Sequence, residues 1–212
     1  MFTGDALTAD EPPNLRRHLL TQHGRILDAM AEAIAENGYA STAVADVLDH
    51  CGMSRRTFYR HFSNKEECFL AAYDFAAGRV GDRVAWEFVN AGPDWRGRIR
   101  RAFEIFMAFV VSEPAFARLC LVDILAAGPR ALERRDAAAR RFTGFLEEAA
   151  GAAPVDHYVP PAVPEAIVGG VQSVITSRLL NGRAHELPHL VDDLLFWALV
   201  PFVGHDENTS VS

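Results

Sequence analysis

Lysine is all but missing from this chain of 212 residues: of 21 basic residues, Lys65 is the only lysine. Cysteine is scarce too. Cys51, Cys68 and Cys120 are odd in number and far apart, and no C-x-x-C pair exists. That spacing excludes a zinc ribbon or a disulfide framework and leaves three reduced, buried thiols as the simplest reading. Long apolar runs are absent. The stretch FMAFVV (106–111) falls well short of the ~20 residues that cross a bilayer. The opening MFTGDALTADEPP is acidic and has no apolar core, so it is not read as a signal peptide. These absences predict a cytoplasmic protein with no membrane partner. β-Branched runs are few and alanine is abundant, which favours helix over strand.

Chemistry of the catalytic kind is missing as well. No glycine-rich phosphate loop is present. His18 and His23 are five apart and share a helix face poorly, so they make a weak metal pair. Cys120 and Asp123 are neighbours on one helical segment, with no histidine nearby to act as a base. No catalytic residue, metal site or cofactor is expected, and the chain is not read as an enzyme.

What is present is hydrophobic material, 50% of the residues, and a net charge of −7. The apolar fraction suffices for a packed core. The negative charge argues against a surface that coats nucleic acid throughout, but not against a local basic footprint. Such a footprint exists. Between Leu15 and Lys65, Arg16, Arg17, Arg25, Arg55, Arg56, Arg60 and Lys65 face Asp28, Glu32, Glu36, Asp46 and Asp49, and no acid falls from His50 to Lys65. Phe58, Tyr59 and Phe62 are interleaved with the last of these cations.

Helical periodicity runs from Leu15 to Asn37, with Leu19, Leu20, Ile26, Leu27, Met30 and Ile34 as its apolar members, and Gly38 ends it. Ser41 or Thr42 is a candidate cap for a short helix that carries Val44, Val47 and Leu48 inward. Gly52 supplies a turn. Ser54 caps a second short helix, to about His61, with Met53 and Phe58 as a hydrophobic staple. Ser63 or Asn64 then starts a long helix over 65–90, with Glu66 and Glu67 in its first turn, where the helix dipole favours acids. Further helices are predicted over 94–112, 114–127, 129–150, 163–181 and 187–203, with a Pro-rich connector at 151–164. The fold class is therefore all-α in two parts. The expected divisions are a tail at 1–13, a helix-turn-helix domain at 14–63, a helical bundle at 64–204 and a second tail at 205–212.

The segment 41–62 has the layout of a helix-turn-helix, in which the second helix enters the major groove of DNA. Its first residues, Arg55, Arg56 and Thr57, would meet base edges. An arginine can donate two hydrogen bonds to a guanine, and a threonine methyl can touch thymine. Tyr59 and Lys65 are placed to hold phosphates, and Thr42 stands at a helix start. Phe58 and Phe62 are core residues that support the site. The basic runs RGRIRR (96–101) and ERRDAAARR (133–141) read as solvated helix faces.

The stretch GYASTAVADVLDHCGMSRRTFYRHFSNKEECFLAAYD (38–74) closely resembles the DNA-binding segment of the TetR family of bacterial transcription regulators. The matching residues are Gly38–Tyr39, Thr42, Val44, Asp46–Val47, Gly52, Ser54, Thr57, Phe58–Tyr59, His61–Phe62 and Lys65–Glu66. The resemblance implies a homodimer on a double-stranded DNA operator of approximate two-fold symmetry, with a small-molecule effector in the C-terminal bundle. Carried over by position, Thr42, Tyr59, His61 and Lys65 would contact phosphates, and Arg55, Arg56 and Thr57 would face bases. Leu48, Arg56 and Ala43 depart from the usual family residues. Repression relieved by a largely apolar ligand is the implied regulation.

Pocket candidates are Phe103, Phe106, Phe109, Phe116, Asp123, Phe142, Gln172 and Thr176, because ligand pockets are apolar with a few placed polar groups. Gly169 and Gly170 permit close helix approach. With Val174, Leu194, Leu195, Trp197 and Ala198 they form the expected dimer interface, since the segment 190–203 is apolar nearly all round. The competing reading is a helical small-molecule binder or enzyme whose basic patch is incidental.

Overall fold

The computed structural model describes residues 21–151 and 158–203. The expected tails at 1–13 and 205–212, and Leu15, Leu19 and Leu20 of the first helical pattern, lie outside these residues. Among the described residues the chain is helical and carries no strand. It divides into two compact units, the first ending at Ala72 and the second beginning at Tyr73.

The first unit holds α1 (Gln22–Asn37), α2 (Val44–Cys51), α3 (Arg55–His61) and the start of α4 (Lys65–Asn90). Thr21 caps α1, its side chain accepting from the Gly24 N–H at 3.0 Å. Ser54 caps α3 by accepting from the Thr57 N–H at 3.2 Å. At α4, Asn64 accepts from the Glu67 N–H at 2.8 Å, and the Glu67 carboxylate reaches back to the Ser63 N–H at 2.7 Å. These reciprocal bonds satisfy donors that a helix start leaves open.

One cap differs from expectation. Neither Ser41 nor Thr42 caps α2; Ala43 stands there, and the Asp46 carboxylate takes its N–H at 2.7 Å. Between α2 and α3 the chain turns at Gly52, whose φ of 64° lies in the left-handed region that favours glycine. The core of this unit is Ile26, Leu27, Met30, Ile34, Val47, Phe58, Phe62 and Phe69, all buried. Burying each of the larger of these side chains is worth about 1.5–3 kcal/mol. Cys51 and Cys68 are free and buried here, as Cys120 is in the second unit.

The second unit continues with α5 (Trp95–Ser112), α6 (Pro114–Leu121), a 3₁₀ turn (Asp123–Ala126), α7 (Pro129–Gly151), α8 (Val163–Leu180), a second 3₁₀ segment (Ala184–Leu190) and α9 (Val191–Val203). Asp94 caps α5 through the Arg96 N–H at 3.1 Å. Two predicted helices are shorter than their patterns. The 114–127 segment leaves α geometry after Leu121 and finishes as 3₁₀. The 187–203 segment is 3₁₀ up to Leu190, where Pro188 cannot donate into an α ladder. The core gathers Ile99 and Val110 of α5, Leu146 of α7, Ile167 and Ile175 of α8, and Leu195, Ala198 and Phe202 of α9.

Candidate nucleic-acid interface and ligand cavity

Helix α3 is held from one side and bare on the other. Phe58 is fully buried and Phe62 nearly so, one helical turn apart, with ring centroids 5.7 Å from each other. The opposite face carries Arg55, Arg56, Tyr59 and Arg60, all exposed. Arg55 and Arg56 make no hydrogen bond or ion pair to any described residue, so their donors are available to an outside acceptor. Tyr59 is 52% exposed and packs its ring edge-on against Phe58, at 5.4 Å and 85°. That contact fixes the ring and leaves the phenol pointing away from the core. The Thr57 hydroxyl shares a 3.0 Å hydrogen bond with Ser54. Arg60 is tied to Gln22 of α1.

Three expected phosphate contacts sit differently. Thr42 is 2% exposed, and its hydroxyl is directed at the carbonyls of Gly38 (2.8 Å) and Ala33 (3.2 Å). It closes the turn after α1, because a buried hydroxyl needs an internal partner. Lys65 donates to the carbonyls of Tyr39 (2.7 Å) and Thr42 (2.8 Å), and its ammonium lies 4.2 Å from the centre of the Tyr39 ring. Burial pushes its pKa below the ordinary lysine value. Its first task is therefore to fasten α4 to the turn before α2. His61 turns its Nε2 inward, where it finds no hydrogen-bond partner among the described residues, and its ring is T-shaped to that of His23, with centroids 5.9 Å apart. Sequence reasoning missed a further fastening. Arg25, counted there only as positive charge, donates to the Cys51 carbonyl at 2.8 Å and closes the C-terminal end of α2.

Two cavities are formed by described residues of the second unit. The smaller, about 80 Å³, is lined by Phe88, Ile99, Phe103, Met107, Leu146 and Val171 among others, and Gln172 is its one polar side chain. The larger, about 480 Å³, is lined by Phe109, Tyr73, Cys120, Ser173, Thr176 and Arg135 among others. Phe106, Phe142 and Gln172 line both. Burial pushes the Tyr73 phenol and the Cys120 thiol far up, so both stay neutral, and Arg135 is the one charged side chain in the wall of the larger cavity. Thr176 donates to the Leu121 carbonyl at 3.4 Å. Phe116 and Asp123 line neither cavity. Phe116 is buried against Phe75, with centroids 5.9 Å apart, and Asp123 pairs with Arg118 at 3.3 Å.

The expected dimer residues divide in the same way. Leu194, Leu195 and Ala198 are buried in the chain's own core. Val174 is half-buried, packed at the edge of that core. Gly169 is exposed, and Gly170 lies under the Trp197 ring, so close that a Cβ there would come within 2.7 Å of it. Trp197 is 47% exposed and its neighbour Phe196, which the sequence reading did not single out, is 53% exposed.

Residues 26–72 match the family described as bacterial regulatory proteins, tetR family. The HTH-type transcriptional activator FasR of Mycolicibacterium smegmatis is 29% identical over 98 residues, which is 46% of this chain and 44% of that protein. The chain spans less than half the length of the curated relatives it matches. Two solved structures share the fold over most of the chain. The fatty acid degradation regulator FadR of Bacillus halodurans superposes with a TM-score of 0.75 at 17% identity, covering 84% of this chain and 98% of that one. FadR of Bacillus subtilis, solved in complex with stearoyl-CoA, superposes with a TM-score of 0.73 at 17% identity, covering 85% and 98%. Residues 26–72 thus form a domain of the tetR family, and the described residues share the all-α fold of the two solved regulators.

Proposed function

We propose that the chain is a dimeric, sequence-specific DNA-binding regulator of transcription, a repressor released from a two-fold operator by an effector with a long apolar chain. The observation that carries the first half is the outer face of α3. Arg55, Arg56 and Tyr59 are exposed there, on a helix whose other face is anchored by Phe58 and Phe62. Rigid backing with unspent donors is what base and phosphate recognition requires. In a dimer, two such helices would enter successive major grooves about 34–36 Å apart.

The effector reading rests on the two cavities and on the FadR solved with stearoyl-CoA. An acyl chain suits the aromatic and aliphatic walls. Arg135, the one charged side chain in the wall of the larger cavity, supplies a polar contact for its head. A ligand shifts DNA affinity only as far as it binds two states of the protein unequally. The dimer would use the exposed pair Phe196 and Trp197, with Gly169 and Gly170 beside them.

Selection of bound duplexes from a random library, at two salt concentrations, tests this function. Enrichment of an inverted repeat that weakens as salt rises is the expected result, because phosphate contacts release counterions. No enrichment at either salt, with ligand-stripped protein, overturns it.

A further inference from the structure

The larger cavity, at about 480 Å³, is of ordinary ligand size; the smaller, at about 80 Å³, is well below the ~300–1,000 Å³ usual for a ligand pocket. The smaller one therefore has no use as a separate site, but its walls are apolar apart from Gln172 and suit an apolar group. Its wall with the larger cavity is built from one residue on each of three helices: Phe106 of α5, Phe142 of α7 and Gln172 of α8. Phe106 and Phe142 meet edge to face, with centroids 5.3 Å apart and planes at 70°. Both rings are only half-buried, so neither is locked by surrounding core. Gln172 makes no hydrogen bond to any described residue.

We propose that the Phe106–Phe142 pair is the determinant of chain length in the effector site. The inference rests on the acyl-ligand reading above. The head and first part of the chain occupy the larger cavity, near Arg135. A chain long enough to reach the pair enters the inner chamber only when the Phe142 ring swings aside. Short chains never meet the pair. Each methylene that leaves water for an apolar wall raises affinity about fourfold. The rise in affinity with chain length therefore breaks at the length where the tail meets the rings.

The test uses full-length, ligand-stripped protein and saturated fatty acids of increasing length, titrated by calorimetry, with Phe142→Ala, Phe142→Leu and Ala102→Leu beside the wild type. Ala102 lines the inner chamber alone, so leucine there fills it. The expected outcome is opposite in sign for the two sites. Phe142→Ala extends the fourfold climb past the wild-type break and tightens the longest chains by about tenfold or more. Phe142→Leu lies between the two. Ala102→Leu weakens the longest chains and leaves the short ones unchanged. Loss of folding in one variant cannot produce that pair of results. Length profiles that all parallel the wild type overturn the gate and leave the acyl-ligand reading standing. Absence of binding at every length, wild type included, overturns both.

Discussion

The ammonium of Lys65 lies 2.7 Å from the carbonyl oxygen of Tyr39 and 4.2 Å from the centre of the same residue's ring. The only lysine of the chain is thus a fastener before it is a DNA contact. Replacing it by methionine keeps the stem and removes the charge, leaving the carbonyls of Tyr39 and Thr42 without this donor. Hydrogen bonds from a charged group contribute about 1.5–3 kcal/mol each. The Lys65→Met variant is expected to lose about 2 kcal/mol in denaturant unfolding. An unchanged unfolding midpoint would show that the contact is not needed.

Arg55 and Tyr59 act on DNA in different ways and are separable. Losing a bidentate base contact costs about 1–3 kcal/mol of discrimination. Arg55→Ala should therefore relax sequence preference at one position in each half-site. Tyr59→Ala should weaken all duplexes alike. Neither should move the melting temperature appreciably, because both side chains project from the bare face of α3. Anisotropy titrations on matched and mismatched duplexes check this.

His50 gives the N-terminal unit a pH dependence. Its Nδ1 is hydrogen-bonded to the Asp46 carbonyl at 2.8 Å, and its Nε2 lies 3.3 Å from the Glu36 carboxylate. The Asp46 bond raises its pKa above the ordinary 6.5; burial opposes it, and the hydrogen bond and charge of Glu36 add to the rise. The protonated ring is the stabilising form. Its contribution is complete below the unfolded value and is lost as pH rises through the higher folded value. The effect is small, because the pair is largely solvated. Unfolding free energies of the wild type and His50→Gln should separate as pH falls from the folded value to 6.5 and run parallel below it; a constant difference across pH contradicts the assignment.

Phe196 and Leu195 are adjacent on α9 but answer to different partners. Leu195 is 5% exposed and belongs to the chain's own core; Phe196 is 53% exposed. Phe196→Asp is expected to give a folded monomer with weakened operator binding. Leu195→Asp is expected to unfold the second unit, since an unpaired charge buried in a core is very costly. Sedimentation and circular dichroism together separate the two outcomes.

Much of this was legible in the sequence because local rules carry it. Ser54 before a short helix, Gly52 in a tight turn and Asn64 before two acids each state a local signal that neighbouring residues alone can satisfy. What was not legible depends on partners distant in sequence. Thr42 reads as an exposed helix start, yet its hydroxyl meets a carbonyl nine residues earlier. Lys65 reads as a phosphate ligand, yet its acceptors lie 26 and 23 residues away. Periodicity placed Ile99, Phe103, Phe106 and Val110 on one face of α5. It could not show that Ile99 and Val110 are buried while Phe103 and Phe106 are only partly covered. Apolarity all round α9 marked a helix to be covered. It did not divide Leu195, covered from within, from Phe196.

The most direct measurement is duplex selection repeated with Arg55→Ala beside the wild type. The wild type should return an inverted repeat with half-sites about one helical turn apart. Arg55→Ala should return the same repeat and spacing, with preference lost at one symmetric position in each half. A repeat recovered unchanged in every position by Arg55→Ala would mean that the outer face of α3 does not read the bases through this residue.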